Sequence, residues 1–222
     1  MSFCLILLAA GKSNRFNSNI AKPYHKIGGK TLIEISLKKA SYFKEIKKVI
    51  LVHNKKDLKF IKKIKLQNVK FLTGGPTRQS STYKALQFLK NDKSISKVLI
   101  HDAARPNFSS NLLKTIIRKM KNYNAVVPTL DIQDAIKQKF ESGQYEYIVG
   151  RDRENLFLTQ TPQAFNYNEI YKLHKINNLR YHDDDLSLYT NLEKVKFIKG
   201  EKNNFKITDQ SDFENLNNIF NS

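Results

Sequence analysis

Three short stretches place charged or conformationally permissive residues where an apolar run gives way to a loop, and each can meet phosphate. The first is LLAAGKSNRF, residues 7–16. Its GKS matches the end of a P-loop, which needs a second glycine five residues before the first so that backbone N–H groups can wrap the phosphates. That position is Ile6, inside the apolar run FCLILLAA, so the ATPase or GTPase reading is poor. What is left is Gly11, Lys12, Arg15 and, before Pro23, Lys22. Here a glycine admits close approach while N–H groups and fixed cations face negative charge; the alternative is a basic surface loop. The second stretch is FLTGGPTRQSS, residues 71–81, where Gly74 and Gly75 permit a tight approach and Ser80 or Ser81 begins the next helix. Backbone amides there can read a base edge, or the segment is an ordinary strand-to-helix turn. The third is LIHDAARP, residues 99–106. Asp102 can hold a metal or a ribose and Arg105 a phosphate, and a structural Asp–Arg pair would look identical.

Other candidates are weaker alone. His101 reads as a strand-end histidine with internal partners, because no second His or Cys stands at metal-binding spacing. The HDDD run at 182–185 can coordinate Mg²⁺ through oxygens or cap the short helix after it, and the cap is favoured. Lys206, between Phe205 and Ile207 in an expected strand NFKIT, must point outward or meet an anion. Arginine is used sparingly, seven times, and Arg15, Arg78, Arg105 and Arg153 fall beside Gly, Asp or Pro in loops. A guanidinium binds phosphate bidentately where an ammonium cannot.

Between and around these residues, strand-like and helix-like segments alternate. FCLILLA, KVILVHN, VKFLT, KVLIHD and AVVPTL read as strands. TLIEISLKKASYF, KKDLKFIKKI, QSSTYKALQFLKN and SSNLLKTIIRKMKN read as the helices between them. That alternation predicts a parallel sheet covered by helices, with ligands at the carboxyl ends of its strands. At 134–150 the pattern changes to that of a β-hairpin around Ser142 and Gly143, too small to stand alone and so expected to pack on a neighbour. Beyond it come NLFLTQTPQAF, the helical NYNEIYKLHKI, a strand pair VKFIKG and NFKIT, and a last helix SDFENLNNIF capped by Thr208 or Ser211.

Composition bounds the rest. A chain of 222 residues buries a sizeable core, and one domain, 1–222, is expected. No apolar run approaches the length of a membrane span and the N-terminus lacks a secretory signal, so a cytoplasmic protein with no membrane partner is expected. The single Cys4 lies in the first apolar run and reads as a core thiol. The net charge of +19 suggests nucleic acid, but the lysines are dispersed and no aromatic-stacking signature accompanies them. A solvated surface is the better reading, and a basic nucleic-acid-binding module is the lesser alternative.

Taken together, LLAAGKSNRF with KPY, GGPTRQSS, IHDAARP, PTLDIQDAIK, LTQTPQAF, DDDLSL and NFKIT occur in the order and approximate spacing of one family. The chain resembles the 2-C-methyl-D-erythritol 4-phosphate cytidylyltransferases over nearly its whole length. The resemblance implies a Rossmann-like three-layer αβα nucleotidyltransferase fold, a mostly parallel sheet and a protruding β-hairpin dimerisation arm at about 134–152. It implies transfer of CMP from CTP to methylerythritol 4-phosphate with pyrophosphate release, in the non-mevalonate route to isoprenoid precursors. Mg²⁺ or another divalent cation is implied, bound through the CTP phosphates with Asp102 as a protein ligand to be tested, and so is a homodimer joined through the arm. In some bacteria the domain is fused to a cyclodiphosphate synthase; one activity is expected here.

Carried over by position, the resemblance puts transition-state cations at Arg15 and Lys22 and a phosphate loop at Ala9, Ala10, Gly11 and Lys12 through Arg15. A cytosine-reading turn falls on Gly74, Gly75 and Ser81, an Asp–Arg pair on Asp102 and Arg105, and the holders of the substrate phosphate on Lys206 and Arg153, the latter reaching in from the partner. Thr161 and Thr208 complete the pocket. Two positions depart from the pattern: Ala135 and Asp183 stand where the family usually has Thr. Both bear on the polyol-phosphate pocket, which keeps another polyol phosphate, such as ribitol 5-phosphate, as the alternative substrate.

Overall fold

The computed structural model describes residues 1–11, 16, 20–61, 68–142, 145–177 and 182–221. In chain order β1 (Phe3–Ala9) is followed by a small hairpin of β2 (Lys26–Ile27) and β3 (Lys30–Thr31), then α1 (Leu32–Ser41), β4 (Ile46–His53), α2 (Leu58–Ile61), β5 (Val69–Thr73), α3 (Arg78–Phe88), β6 (Lys97–Asp102) and α4 (Ser110–Lys119). Next come β7 (Ala125–Asp131), the arm strands β8 (Ile136–Ser142) and β9 (Tyr145–Arg151), β10 (Phe157–Thr159), β11 (Gln163–Asn166), α5 (Tyr167–Ile176), β12 (Val195–Lys199) and α6 (Gln210–Asn221).

β1 is apolar at every position because both of its faces are covered. Phe3, Leu5, Leu7 and Ala9 join one cluster with Ile33, Leu37 and Leu113 of α1 and α4, while Cys4 and Ile6 join another with Leu86 and Ile170 of α3 and α5. That two-residue alternation makes the three-layer αβα sandwich. β5, β4, β1 and β6 run parallel side by side. β11 is antiparallel to both β6 and β7, and β12 is parallel to β7, so six strands share one direction and β10 and β11 oppose them. β10 and β11 lie on one side of β7, with the cis Thr161–Pro162 bond between them and β12 on the other side. The α/β, mostly parallel architecture read from the sequence is therefore the one found. Among the described residues no helix is long and apolar enough to cross a membrane.

The arm strands pair in register from Ile136↔Arg151 to Ser142↔Tyr145 and form a sheet of their own. Gly143, expected in its turn, lies outside the described residues, as do 62–64 of the helix expected after β4.

Four local expectations are corrected. NFKIT is not a strand. Its backbone runs past the carboxyl end of β6, where Ile207 N–H donates to Ala104 O at 2.8 Å and the carbonyls of Ile207 and Thr208 accept Lys22 Nζ. Those contacts replace a sheet ladder, and β12 pairs with β7 instead. α3 begins at Arg78 rather than Ser80 or Ser81, because Thr77 caps it by accepting from Ser80 N–H while Ser80 Oγ takes Thr77 N–H. α6 is capped by neither Thr208 nor Ser211; Asp209 accepts the Asp212 N–H at 3.0 Å. Strand β4 starts earlier than KVILVHN, at Ile46.

Candidate active site

From β1 the chain steps outward through β4 and β5, then returns to lay β6 on the other side of β1. At such a reversal the loops leaving adjacent strands diverge and open a crevice at their carboxyl ends. A cavity of about 540 Å³ lies there. Ala10 and Gly11 after β1, Lys22 and Pro23, the Gly75–Arg78 turn with Ser81, Asp102 at the end of β6 and Ala104 beyond it, and Lys206 and Thr208 line it.

Two glycines set how closely its walls approach. A Cβ at Gly74 would lie 2.6 Å from Ala10 Cβ and 2.8 Å from Ser81 Oγ, so a side chain there would drive apart the loops that follow β1 and β5. A Cβ on Gly75 would stand 2.2 Å from Ser80 Oγ. Gly74 N–H donates to His53 O at 2.9 Å and Gly75 N–H to Ser81 Oγ at 3.0 Å, which holds the turn on the α3 terminus.

Its charges are tied into a chain that runs from buried groups out to a partly exposed lysine. Asp102 accepts Arg78 Nε at 3.1 Å on one oxygen and Lys206 Nζ at 2.7 Å on the other. Arg78 Nη1 reaches Asp185 at 2.7 Å, and Asp185 also accepts His174 Nε2 at 2.9 Å. Burial alone would raise the Asp102 carboxyl, but Arg78 and Lys206 outweigh it and hold it well below the usual carboxylate range. Asp185 is held down by Arg78 and His174 against the same burial. Lys22, itself buried, donates to Ile207 O at 2.7 Å and Thr208 O at 2.9 Å, with its ammonium 5.6 Å from the centre of the Phe16 ring. Among the described residues the lining carries three cations, Lys22, Arg78 and Lys206, against the Asp102 carboxylate, and their positions are fixed by oxygen partners rather than left to solvent.

The residues singled out from sequence divide into three groups. Ala10, Gly11, Lys22, Gly75, Ser81, Asp102, Lys206 and Thr208 meet at the cavity, with Ala9 at the end of β1 and Gly74 behind the turn. Lys12 and Arg15 lie outside the described residues. Arg105, Thr161, Ala135, Arg153 and Asp183 do not line the cavity in a single chain. Arg105 Nη1 ties down Asn204 O at 2.9 Å, Thr161 is buried between His101 and the Asp102 N–H, and Arg153 donates to Gln133 O beside the arm. Ala135 and Asp183 are exposed. His101 is a satisfied core histidine, bonded to Thr161 and to the Arg105 carbonyl. In the HDDD run Asp184 is the cap, accepting Ser187 N–H at 3.0 Å, while Asp185 is spent on Arg78. Arg78, singled out from sequence only as one of four loop arginines suited to phosphate, also lines the cavity, at the first position of a Ser/Thr-rich helix that follows two glycines.

A polyanion-sized crevice at the topological switch of a parallel sheet, glycine-walled on one side and cationic on the other, belongs to a nucleotidyltransferase. The sequence profile of 2-C-methyl-D-erythritol 4-phosphate cytidylyltransferase (IspD) matches residues 3–222, and the chain belongs to that family. It is 43% identical over 220 residues to a bifunctional enzyme IspD/IspF of Pelagibacter ubique, covering 99% of this chain and 57% of that protein. It is 36% identical over 216 residues to a 2-C-methyl-D-erythritol 4-phosphate cytidylyltransferase of Clostridium botulinum, covering 94% and 93%. The solved 4-diphosphocytidyl-2C-methyl-D-erythritol synthase of Anaerococcus prevotii superposes with a TM-score of 0.84 at 31% identity, covering 100% of this chain and 96% of that one.

Proposed function

We propose that this chain transfers the cytidylyl group of CTP to 2-C-methyl-D-erythritol 4-phosphate. A phosphate oxygen of the polyol attacks the α-phosphorus, a new P–O bond forms, the α–β bridging bond breaks and pyrophosphate leaves. The attacking oxygen is already anionic, so no general base is needed; the obstacle is bringing two polyanions into line. The observation that carries the reading is the cavity lining, where Lys22, Arg78 and Lys206 face one carboxylate. Cations fixed before substrate arrives stabilise the charge that accumulates in the transition state without reorganising.

The Gly74–Gly75 turn and Ser81 are suited to the cytosine edge, and Ala10 and Gly11 to the triphosphate. Lys22, together with Arg15 on the sequence resemblance, is assigned to the developing charge, and Lys206 to the substrate phosphate. Among the described residues Asp102 is the one carboxylate of the lining, and both of its oxygens already accept N–H donors. Among the described residues no cluster of metal-ligating side chains exists, so the donor set suits Mg²⁺ held chiefly by the nucleotide, with Asp102 as at most an outer contact. Bound there, the ion neutralises triphosphate charge. Ala135, Arg153 and Asp183 are assigned to the polyol side of the pocket completed by a second copy, and Arg105 and Thr161, which face inward, to holding Asp102 and the Asn204 carbonyl in place behind it. Support for a dimer comes from the arm, whose strands pair only with each other among the described residues, and from exposed Leu156, Phe157 and Leu158 beside it.

The test offers CTP and Mg²⁺ with methylerythritol 4-phosphate or ribitol 5-phosphate and follows pyrophosphate. Release with the first substrate is expected, and about a hundredfold loss in Lys22→Ala and in Arg15→Ala with the fold retained. Normal turnover in both variants would overturn the site, and preference for ribitol phosphate would overturn the substrate alone.

A further inference from the structure

Asp185 and His174 are each 1% exposed and neither lines the cavity, yet they hold a residue that does. A carboxylate so deeply buried persists only with strong partners. Asp185 has two: Arg78 Nη1 on one oxygen and His174 Nε2 on the other. It makes no cap bond to the 3-10 turn it precedes, because Asp184 supplies that. His174 in turn lies parallel to and offset from the Tyr83 ring of α3, with ring planes 3° apart and centroids 6.2 Å apart.

Resting on the cytidylyltransferase reading, we infer that His174 is a positioning residue for the transfer: through Asp185 it sets the Arg78 guanidinium, and through Arg78 the Asp102 carboxylate and the Lys206 ammonium. The path is four hydrogen bonds long and crosses α5, the 182–188 segment, α3, β6 and the C-terminal segment. Held by Asp102 alone, the Arg78 side chain could swing about its Nε bond. The second anchor at Nη1 forbids that swing, and among the described residues Nη2 has no partner to substitute for it. Lys206 is the link most sensitive to slack, since its side chain is 43% exposed and is anchored on Asp102 Oδ2. Slack there misplaces a charge during the chemical step and leaves the glycine turn untouched. The effect therefore falls on kcat rather than on the KM for CTP.

The experiment compares His174→Ala, His174→Gln, Lys206→Met and the double variant His174→Ala/Lys206→Met. Loss of a hydrogen bond to a charged partner predicts about a tenfold lower kcat in His174→Ala, with the CTP KM changed less than about twofold. His174→Gln, whose amide can donate to Asp185, restores most of it. The double variant is no slower than Lys206→Met by more than about twofold, because both act on one link. A second readout needs no turnover. With lysines dimethylated with ¹³C, the Lys206 resonance, assigned by its absence in Lys206→Met, shifts in His174→Ala and returns in His174→Gln. An unshifted resonance, or a kcat loss that is the same in both His174 variants and multiplies with Lys206→Met, overturns the inference. If His174→Ala does not fold, Asp185→Asn carries the same comparison. If the wild-type protein releases no pyrophosphate from CTP, the functional reading fails while the resonance still decides the relay.

Discussion

His101 stands one residue before Asp102 and should make the protein acid-labile in a way that can be worked out in advance. The Arg105 carbonyl can only accept, so Nε2 carries the imidazole proton and donates to it at 3.0 Å. Nδ1 then accepts the Thr161 hydroxyl at 2.9 Å, and the Thr161 oxygen accepts the Asp102 N–H at 3.1 Å. A proton added at Nδ1 would turn the Thr161 hydroxyl out of its present bond and place a charge in a site that is 0% exposed and walled by the Phe108 ring. Burial above all, with Arg105 assisting against Asp102, pushes the His101 pKa down from 6.5 to about 3. The unfolded chain binds a proton there near pH 6.5 and the folded one does not. Stability is therefore complete above about pH 6.5 and falls as pH drops towards 3, by about 1.4 kcal/mol per unit, a tenfold change in the folding constant. From pH 6.5 to 4.5 that amounts to roughly 2–3 kcal/mol. Urea unfolding of wild type and His101→Gln at half-unit steps through this range measures it, since the difference in slope isolates one proton from the other titrating groups. Parallel curves for the two proteins would show that His101 takes up its proton in the folded state and that the tautomer argument is wrong.

Further outcomes follow from contacts elsewhere. Gly74→Ala puts a methyl 2.6 Å from Ala10 Cβ, and steady-state kinetics should give a CTP KM raised about tenfold or more with the circular dichroism spectrum retained. Burial drives the Cys4 thiol up to about 12, so Ellman's reagent at pH 8 should not react until urea unfolds the chain; prompt reaction in native buffer would contradict its place in the core. Thr31→Val removes the acceptor for the Glu34 N–H at 3.2 Å and half of the capping box on α1, and should cost about 1 kcal/mol in urea unfolding with kinetic constants unchanged.

The legible parts of the chain are those in which one residue's surroundings are settled by its neighbours in sequence. β1 could be read as a doubly covered strand because FCLILLA has no polar position, and the glycines of 71–81 marked a turn because a Cβ has no room there. NFKIT was misread for the opposite reason. Its alternation is that of a strand, but the partners that consume its carbonyls come from Lys22 and Arg105, far away in the chain. Arg105 and Thr161 had the right residue types, yet their side chains face inward to Asn204 and His101, which no local pattern encodes.

Charge was the least legible property. A net +19 says little about the site, because most of those cations are lysines in water, where screening leaves them weak and mobile. What distinguishes Lys22, Arg78 and Lys206 is that each is fixed by oxygens contributed from another part of the chain. Such a cation costs desolvation to place, and the folded sheet supplies partners that lie 24 to 186 residues away in the chain. Holding it still before the substrate arrives converts a surface charge into transition-state stabilisation. By that logic a lysine added to the cavity rim without an oxygen partner would raise the on-rate for nucleotide at low salt and leave kcat unchanged, whereas loosening an existing partner would lower kcat at any salt.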